Sequence, residues 1–441
     1  MTHDVFMPNG AWHAAAPDRQ LLRDLMGGTR AMRAAGERWL PREPNESLAA
    51  YRLRLGRAVL YNGLARAVRT IAARPFARPV VLSDAIAPVL AAWCADVDLS
   101  GRDLGRFAHD IFRAALLDGL THVLVDMPAE PAATRARPYL VHVPADNLIA
   151  WRTTRVGGAE TLSEIRVAEE ALLPEGPWGE RMVRRVRVIT PDAWSLWQEP
   201  PREARERSWR KVAEGPMSLG RVPLVTLHAG RTGPMTATPP LLDLAWLNLA
   251  HWQSSADQRH ILHVARVPIL FGRDLRVGEG GLEIGPNRMV LGEGGGADLR
   301  FVEHSGAAIN AGRQDLIDLE ERMARMGAEL LAPRHGQMTA TERALEADRH
   351  DSALQAMVRD LEGALVQTLG LMADWAGLPR AGIAVDVFDD FGEGAGARAD
   401  LTTLLALDQR GAIDRGTLTA ELRRRGVLED ASTNATPAAA A

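Results

Sequence analysis

The spacing of apolar residues predicts helices at the beginning of the chain, strands in its middle and long helices towards its end. A helical repeat runs through "NESLAAYRLRLGRAVLYNGLARAVRTIAARPF", which predicts one helix that Asn45 or Ser47 caps and Pro75 ends. Residues 120–229 instead contain short runs of Val, Ile, Leu and Trp that Pro, Gly, Asp and Asn separate. Such runs are typical of a strand meander, so the pattern favours an α+β fold.

The segments before the meander are otherwise expected to be helical, apart from the N-terminus. Residues 1–17 show no repeat and are expected to form a loose arm. The glycine pair Gly27–Gly28 can divide the first helix in two. The remaining helices predicted here are about 18–39, 83–95 with a kink at Pro88, and 100–119.

Two long helices are predicted on either side of a small β segment at 267–303. The first, about 240–265, changes along its length: nine of twelve residues are apolar from Leu241 to Trp252, but between Gln253 and Arg259 only Ala256 is. Each helix would be roughly 35 Å long at 1.5 Å per residue. The second, about 308–331, carries a narrow apolar seam with alternating spacings of three and four. The seam consists of Ile309, Gly312, Leu316, Leu319, Met323, Met326 and Leu330.

Such a pair makes a poor core alone, and copies side by side in a ring would bury its seams. We therefore predict a stalk that repeats around an axis.

The segment after the seam helix is predicted to be a short loop followed by one long helix, 341–376. Pro333 stops the seam helix and Gly336 lets the backbone turn. Thr339 and Glu342 form a capping-box pattern that restarts a helix. The C-terminal elements are then a strand in "AGIAVDVFDDF", two short helices within 398–426, and a disordered tail.

The composition argues against several classes of function. The 441-residue chain has a formal net charge of −4, which is unlike a dedicated nucleic-acid binder. Its single lysine, Lys211, does not follow a glycine, so a Walker phosphate loop is excluded. Its single cysteine, Cys94, rules out an internal disulfide and a multi-thiolate zinc site. The N-terminus does not resemble a signal peptide and no long uncharged apolar run occurs, so we expect a chain made in the cytoplasm without a membrane span.

Candidate chemical sites are few and have plain structural explanations. His251, His260 and His263 share one helix, but no HExxH motif accompanies them, so polar contacts or a subunit boundary are expected rather than a metal. The glycines of 278–296 are expected in turns between strands rather than around a phosphate. The carboxylates of "VDVFDDF" are expected at a solvated strand end. We therefore predict no catalytic residue, no metal and no cofactor.

Three stretches make the chain resemble portal proteins of tailed bacteriophages. These are "PLLDLAWLNLAHWQSSADQRHILHVARVPILFG", which resembles the stem helix, "MTATERALEADRHDSALQAMVRDLEGALVQTLGLMADWAGL", which resembles the helix after the tunnel loop, and "YRLRLGRAVLYNGLARAVRTIAARPF", which resembles an early wing helix. The similarity covers about residues 45–430. It is greatest to a portal subgroup long catalogued as a domain of unknown function.

The resemblance implies a portal-type α+β fold with a β-rich wing, a two-helix stem, a small β clip, a long helix and a helical crown. The segments would be an arm and first helix 1–44, wing 45–239, stem helix 240–266, clip 267–304, second stem helix 305–331, tunnel loop 332–340, long helix and return strand 341–397, crown 398–429, and tail 430–441.

The same resemblance implies a structural role in a virion. Twelve copies would form a dodecameric ring at one capsid vertex, through which double-stranded DNA enters during packaging and leaves during ejection. The partners would be the terminase large subunit, a head–tail adaptor, and the major capsid or scaffolding protein. Arg334, His335 and Gln337 would lie at the tip of the tunnel loop, facing the DNA backbone.

Two other classes of protein remain open at this stage. A different head-assembly or adaptor protein would share the helices, but not a clip between two stem helices. A packaging-pathway nuclease would need a cluster of metal ligands, and a Mg²⁺-dependent cleavage assay would detect it.

Overall fold

The computed structural model describes residues 4–128, 136–201, 208–266, 269–274, 295–302, 306–329 and 352–389, together with 391, 404–406, 408–410, 418–419 and 422. Residues 1–389 form one compact unit and residues 390–441 form a second. In the second unit, residues 404–406 and 408–409 are helical. The predicted loop 332–340 and the tail 430–441 lie outside the described residues.

Along the sequence, the helices of the first unit come before and after a long stretch of strands. They are α1 Gly10–Met26, α2 Gly28–Ala35, α3 Leu48–Arg57, α4 Gly63–Ala73, α5 Pro88–Trp93, α6 Leu104–Asp118, α7 Leu242–Ala265, α8 Ala307–Glu329 and α9 Ala353–Trp375. In the part of the chain that the structure describes, no helix is long and apolar enough to cross a membrane.

The predicted meander is confirmed, and its strands pair antiparallel. The strands of the unit are β1 Val81–Leu82, β2 Leu120–Asp126, β3 Tyr139–Val143, β4 Leu148–Val156, β5 Ala159–Glu175, β6 Gly179–Ile189, β7 Ala193–Gln198, β8 Arg210–Pro216, β9 Leu224–His228, β10 Arg231–Gly233, β11 Thr236–Ala237, β12 Ile269–Arg273, β13 Asp298–Val302 and β14 Val385–Asp386. The two larger sheets have the orders β3-β2-β9 and β4-β5-β6-β7-β8.

One apolar core lies where these two sheets meet. One apolar cluster joins Leu124 of β2 and Val143 of β3 to Leu148, Ile165 and Ile189 of the five-stranded sheet. Helices α6 and α9 both pack against β2 and β9. Six of the seven residues of β2 are consequently buried.

The three-stranded sheet buries His122 and partly buries His142. His122 lies 2.9 Å from the Thr226 hydroxyl through Nδ1, and His142 lies 2.8 Å from the Thr121 hydroxyl through Nε2. Burial lowers the pKa of His122 to about 3 and that of His142 to about 4. Both rings are therefore neutral at ordinary pH, and each has a hydroxyl partner.

The N-terminal arm predicted for residues 1–17 is wrong from residue 10 onwards. The side chain of Asn9 accepts a hydrogen bond from the Trp12 amide at 2.9 Å and caps α1. Trp12 then donates its indole N–H to the Asp146 carbonyl at 2.9 Å. Pro17 lies inside this helix. The cap and the hydrogen bond from Trp12 to Asp146 thus extend the helix into residues for which the sequence predicts a loose arm. The predicted division at the glycine pair is confirmed by α1 and α2.

The single helix predicted up to Pro75 is two helices, α3 and α4. Ala58 has an extended backbone, with ψ 134°, and Asn62 caps α4 by accepting a hydrogen bond from the Ala65 amide. Leu48 and Val59 belong to the apolar repeat that predicts the single helix, and they are 47% and 41% exposed. The break turns these side chains to solvent, whereas Ser47 caps α3 as predicted.

Two further predicted helices are shorter than expected. The helix predicted for 83–95 is only α5, and Pro88 lies in its first turn rather than at a kink. The helix predicted from Ser100 is α6, which begins after Asp103. This aspartate caps the helix by accepting from the Arg106 amide at 2.8 Å. Gly119 ends α6 in a left-handed conformation, as expected for a glycine at a helix end.

The long helix predicted for 341–376 does not run without interruption. Ser352 has an extended backbone, with ψ 158°, and forms a capping box with Gln355 that starts α9. The proposed cap at Thr339 and Glu342 lies outside the described residues. The predicted strand near residue 385 is confirmed as β14, which pairs with β1.

Candidate assembly site

Helices α7 and α8 form an antiparallel pair with two strands between them in sequence. Gln258 of α7 donates to the Ile309 carbonyl at the start of α8, and His251 lies nearer the start of α7 and contacts Glu320 further along α8. Strand β12 follows α7 and pairs antiparallel with β13, which precedes α8. The connection between β12 and β13, residues 275–294, lies outside the described residues. The chain therefore runs in one direction along α7, forms the two-stranded ribbon β12–β13 and runs back along α8.

Four polar side chains within α7 are buried. Asn248, His251, Ser255 and Gln258 are all at most 8% exposed. They recur every three or four residues, so they lie along one stripe of the helix. The sequence of α7 changes from mostly apolar to mostly polar after Trp252, and the buried stripe indicates that part of this change serves hydrogen bonds to neighbouring helices.

Asn248 fixes α7 against the beginning of α4. Its Oδ1 accepts a hydrogen bond from the Leu64 amide at 2.9 Å, and its Nδ2 donates to the Tyr61 carbonyl at 2.7 Å. The first turn of a helix leaves amide donors without intrahelical partners, and Asn248 satisfies one of them from a distance of 184 residues in sequence. The residue is fully buried, so an unpaired amide here would be costly.

His251 and Gln258 set the register between α7 and α8. His251 Nε2 lies 3.2 Å from a carboxylate oxygen of Glu320, and its ring lies 5.3 Å from that of Tyr61. Gln258 donates its side-chain N–H to the Ile309 carbonyl at 2.7 Å. Gly312 faces the same glutamine, and a side chain at this position would collide with the Gln258 amide. Gly312 of the seam therefore allows α7 and α8 to approach each other closely at this point.

Arg54 joins α3 to the far half of α7. Its guanidinium donates to both carboxylate oxygens of Glu46, at 2.9 and 2.8 Å, to Asp257 at 3.1 Å and to the Pro41 carbonyl at 2.8 Å. The hydrogen bond from Arg54 lowers the pKa of Glu46. Four hydrogen bonds on one buried guanidinium hold three segments together.

The seam of α8 is partly covered within a single chain. Leu319 and Met323 are 8% and 3% exposed, because α8 packs against α7 and α4. Ile309, Leu316 and Met326 are half-buried, and Leu330 lies outside the described residues. The middle of the seam thus faces the chain's own helices, which accounts for its narrow pattern without a second copy. The rest of the seam and the outer side of α8 keep part of their surface open to solvent.

The candidate chemical residues do not assemble into a reactive site. Among the described residues, no group of three or more His, Cys, Asp or Glu side chains could hold a metal ion. His260 is half-buried and His263 exposed, while His251 is committed to Glu320. Arg334, His335 and Gln337, the predicted loop tip, lie outside the described residues, so their role stays a prediction.

Comparison with known proteins supports the predicted resemblance over part of the chain. A family model described as a domain of unknown function (DUF4055) matches residues 240–376. This range contains the first of the three quoted stretches and nearly all of the second, so the resemblance to a subgroup catalogued under that description is confirmed there. No curated protein matches the sequence.

Solved structures with a similar course of the chain come from gene transfer agent (GTA) particles. The neck of a native GTA particle with C12 symmetry is 15% identical, with a TM-score of 0.43 over 86% of this chain and 93% of that chain. The neck of an empty GTA particle with C6 symmetry is 15% identical, with a TM-score of 0.43 over 81% and 88%. The virion of a native GTA is 15% identical, with a TM-score of 0.38 over 83% and 86%. Similarity of this degree does not carry a function from one protein to another.

Proposed function

We propose that this chain is the subunit of a portal-type ring at one vertex of a phage-like capsid. The observation that carries the proposal is the antiparallel pair α7–α8 with the β12–β13 ribbon at its end. A helix pair of this length, which packs against α1, α3 and α4 and ends in a β ribbon, is suited to line a channel when copies repeat around an axis. A ring also covers the half-buried seam residues that a single chain leaves partly open to water.

In this proposal the named segments take the roles that the resemblance implies. The wing is 45–239, the stem is 240–266 and 305–331, the clip is 267–304, and the tunnel loop is 332–340. The return segment is 341–397 and the crown is 398–429. Because Ser352 starts α9 afresh, we propose that the return segment contains a joint at this residue rather than one rigid helix.

The proposed ring conducts double-stranded DNA and performs no chemistry itself. A net charge of −4 fits this role, since strong binding to phosphates would hold a moving duplex in place. The clip would meet the terminase large subunit during packaging and a head–tail adaptor afterwards, and the wing would meet the major capsid or scaffolding protein. The protein would therefore be located at the portal vertex of the virion after synthesis in the host cytoplasm.

Electron microscopy of the purified full-length chain in negative stain tests the ring directly. We expect particles with a central hole and rotational symmetry, twelvefold for a dodecamer. Native mass spectrometry on the same sample counts the subunits. A species that stays at the monomer mass of 47.9 kDa at every salt and protein concentration would contradict the proposal.

A second experiment tests the DNA-facing role of the loop. Arg334 can bind a phosphate through its forked guanidinium, so we expect Arg334→Glu to leave ring assembly intact and to reduce packaged DNA. Arg155→Glu on β4, an exposed position of the five-stranded sheet, is the matched control. Normal filling and retention of DNA with residues 334–337 replaced by Gly and Ser would show that the loop does not act on DNA.

A further inference from the structure

One stretch of the chain is strongly basic although the whole protein is acidic. From Ser47 to Ser83 there is no Asp or Glu, and there are seven arginines. The net charge of the whole chain is −4, so the residues outside this stretch together carry −11, the difference between −4 and +7. This stretch therefore differs in charge from the rest of the chain, in which carboxylates outnumber cations.

Most of these arginines point to solvent without a carboxylate. Arg54 is buried and paired with Glu46, and Arg78 stacks over the Phe388 ring. Arg52, Arg66 and Arg74 are exposed, and none has an ion-pair partner among the described residues. Arg66 and Arg69 are three residues apart on α4, opposite its buried side.

Large apolar side chains are exposed in the same stretch. Leu53 is 58% exposed, Leu48 is 47%, Val59 is 41% and Tyr61 is 36%. We define the basic face as Leu48, Arg52, Leu53, Val59, Arg66 and Arg69. A mixture of arginine with large apolar and aromatic side chains is typical of the interior of a protein–protein interface, whereas a surface for nucleic acid is mainly cationic and polar.

The middle of the outer side of α8 carries two exposed carboxylates beside an exposed apolar side chain, with arginines on the turns before and after them. Ile317 is 38% exposed, and Asp318 and Glu321 beside it are exposed as well. We define these three residues as the acidic face. They point away from Leu319 and Met323, which face α7 and α4. Asp318 accepts a hydrogen bond from Gln314 of its own helix, and Arg322 and Arg325 follow on the next turn, so the acidic part is confined to the middle of α8.

We propose that the basic face of one copy binds the acidic face on α8 of the next copy. The occupant is a second copy because each copy carries both members of the complementary pair, with leucines to meet Ile317 and arginines to meet Asp318 and Glu321. A contact between two different surfaces of identical chains is head-to-tail, and such a contact closes into a ring if the rotation fits. This inference rests on the proposed function in one respect, which is that it takes a closed ring as the assembly that the contact forms.

Charge exchange in the full-length chain tests this contact by native mass spectrometry over a dilution series. Arg52→Glu with Arg66→Glu puts like charges together, so we expect the concentration for half-assembly to rise on the order of tenfold or more. Asp318→Arg with Glu321→Arg should do the same. The chain with all four changes should assemble within about threefold of the wild type, because the charges are complementary again. Arg152→Glu with Arg155→Glu on β4 changes the charge equally and should leave assembly unchanged.

The outcomes separate this contact from the proposed ring. If the wild type forms rings and both charge-reversed double variants still form them, the contact is wrong and the ring proposal stands. The same conclusion follows if the chain with all four substitutions does not regain assembly. The wild type could instead form open filaments that are lost in the double variants and regained in the chain with all four substitutions. That result supports the contact and contradicts the ring. If Arg52→Glu with Arg66→Glu leaves assembly unchanged but lowers binding of a fluorescent DNA duplex, the basic face serves nucleic acid and the proposal is wrong.

Discussion

Arg54 shows how one residue can hold distant parts of this chain together. Its side chain is 4% exposed and its partner Glu46 is 9% exposed, while Asp257 at 53% is open to water. An exposed ion pair contributes about 1 kcal/mol or less, whereas a buried one costs several kcal/mol when a single partner is removed. The pair with Glu46 is therefore the one that matters for stability.

We expect Arg54→Met to lower the free energy of unfolding by about 2–4 kcal/mol, because the carboxylate of Glu46 is left without its cationic partner and keeps only the hydrogen bond from the Glu43 amide. Urea-induced unfolding followed by circular dichroism measures the change. Arg152→Met is the control, since Arg152 is an exposed partner of Glu164 at 3.7 Å and its loss should cost less than about 1 kcal/mol. Equal losses in the two variants would mean that the Arg54 cluster does not stabilise the fold.

His122 and His142 should make the protein less stable in acid. The pKa values of His122 and His142 are about 3 and about 4 in the folded chain, below the ordinary value of 6.5. Between pH 6.5 and 4 the unfolded chain binds protons that the folded chain does not, so the free energy of unfolding falls as the pH falls. Each histidine contributes a slope of up to about 1.4 kcal/mol per pH unit.

His122→Asn should remove one of these contributions. Urea unfolding measured from pH 7 to pH 4 should show a slope smaller by about 1 kcal/mol per pH unit than in the wild type. The comparison at pH 8 is the internal control, because the histidine is neutral there in both states and only the change in packing remains. An unchanged slope would show that His122 is protonated in the folded protein.

On the scale of elements, α8 has two sides that should respond differently to the same change. Leu319 is 8% exposed against α7 and α4, whereas Ile317, two residues earlier, is 38% exposed on the acidic face. We expect Leu319→Asp to lower the free energy of unfolding by about 3 kcal/mol or more, because a carboxylate is buried without a partner. Ile317→Asp should change it by less than about 1 kcal/mol.

Assembly then distinguishes the two sides of α8. Ile317→Asp should weaken association of well-folded subunits, which native mass spectrometry detects at unchanged circular dichroism. Leu319→Asp should reduce assembly only by unfolding the subunit, and the same applies to Met323→Asp. A stable, monomeric Leu319→Asp variant would instead place this residue between copies, as the seam pattern alone suggested.

At the scale of the whole molecule, we expect the purified chain to hydrolyse no nucleotide and to cleave no DNA. The sequence has no Gly-Lys pair, which a phosphate loop requires. A metal-dependent nuclease requires a cluster of metal ligands, and the described residues contain no group of three or more His, Cys, Asp or Glu that could hold a metal ion. Phosphate release from ATP and cleavage of a supercoiled plasmid with Mg²⁺ are the measurements. Turnover that co-purifies with the protein and disappears with a point mutation in it would contradict the expectation.

The sequence also contained signals for two breaks that the helical repeat concealed. Asn62–Gly63 ends the extended segment after α3, and Ser352 with Gln355 has the capping-box spacing that starts α9. An apolar repeat continues across such breaks whenever the flanking side chains have similar spacing. Local caps therefore deserve equal weight with periodicity when helix ends are predicted.

The sequence by itself determined the kind and order of the elements: early helices, an antiparallel meander, and the pair α7 and α8 around a β ribbon. It also determined the basic stretch from Ser47 to Ser83, because charge needs no structure to be counted. Which side of each helix is covered was decided only by tertiary structure. A repeat defines a stripe, but the neighbour that buries it is set by long-range contacts such as Arg54 to Asp257, 203 residues apart. Those contacts turned Leu48 and Leu53 outwards and enclosed Leu319 and Met323 within one chain.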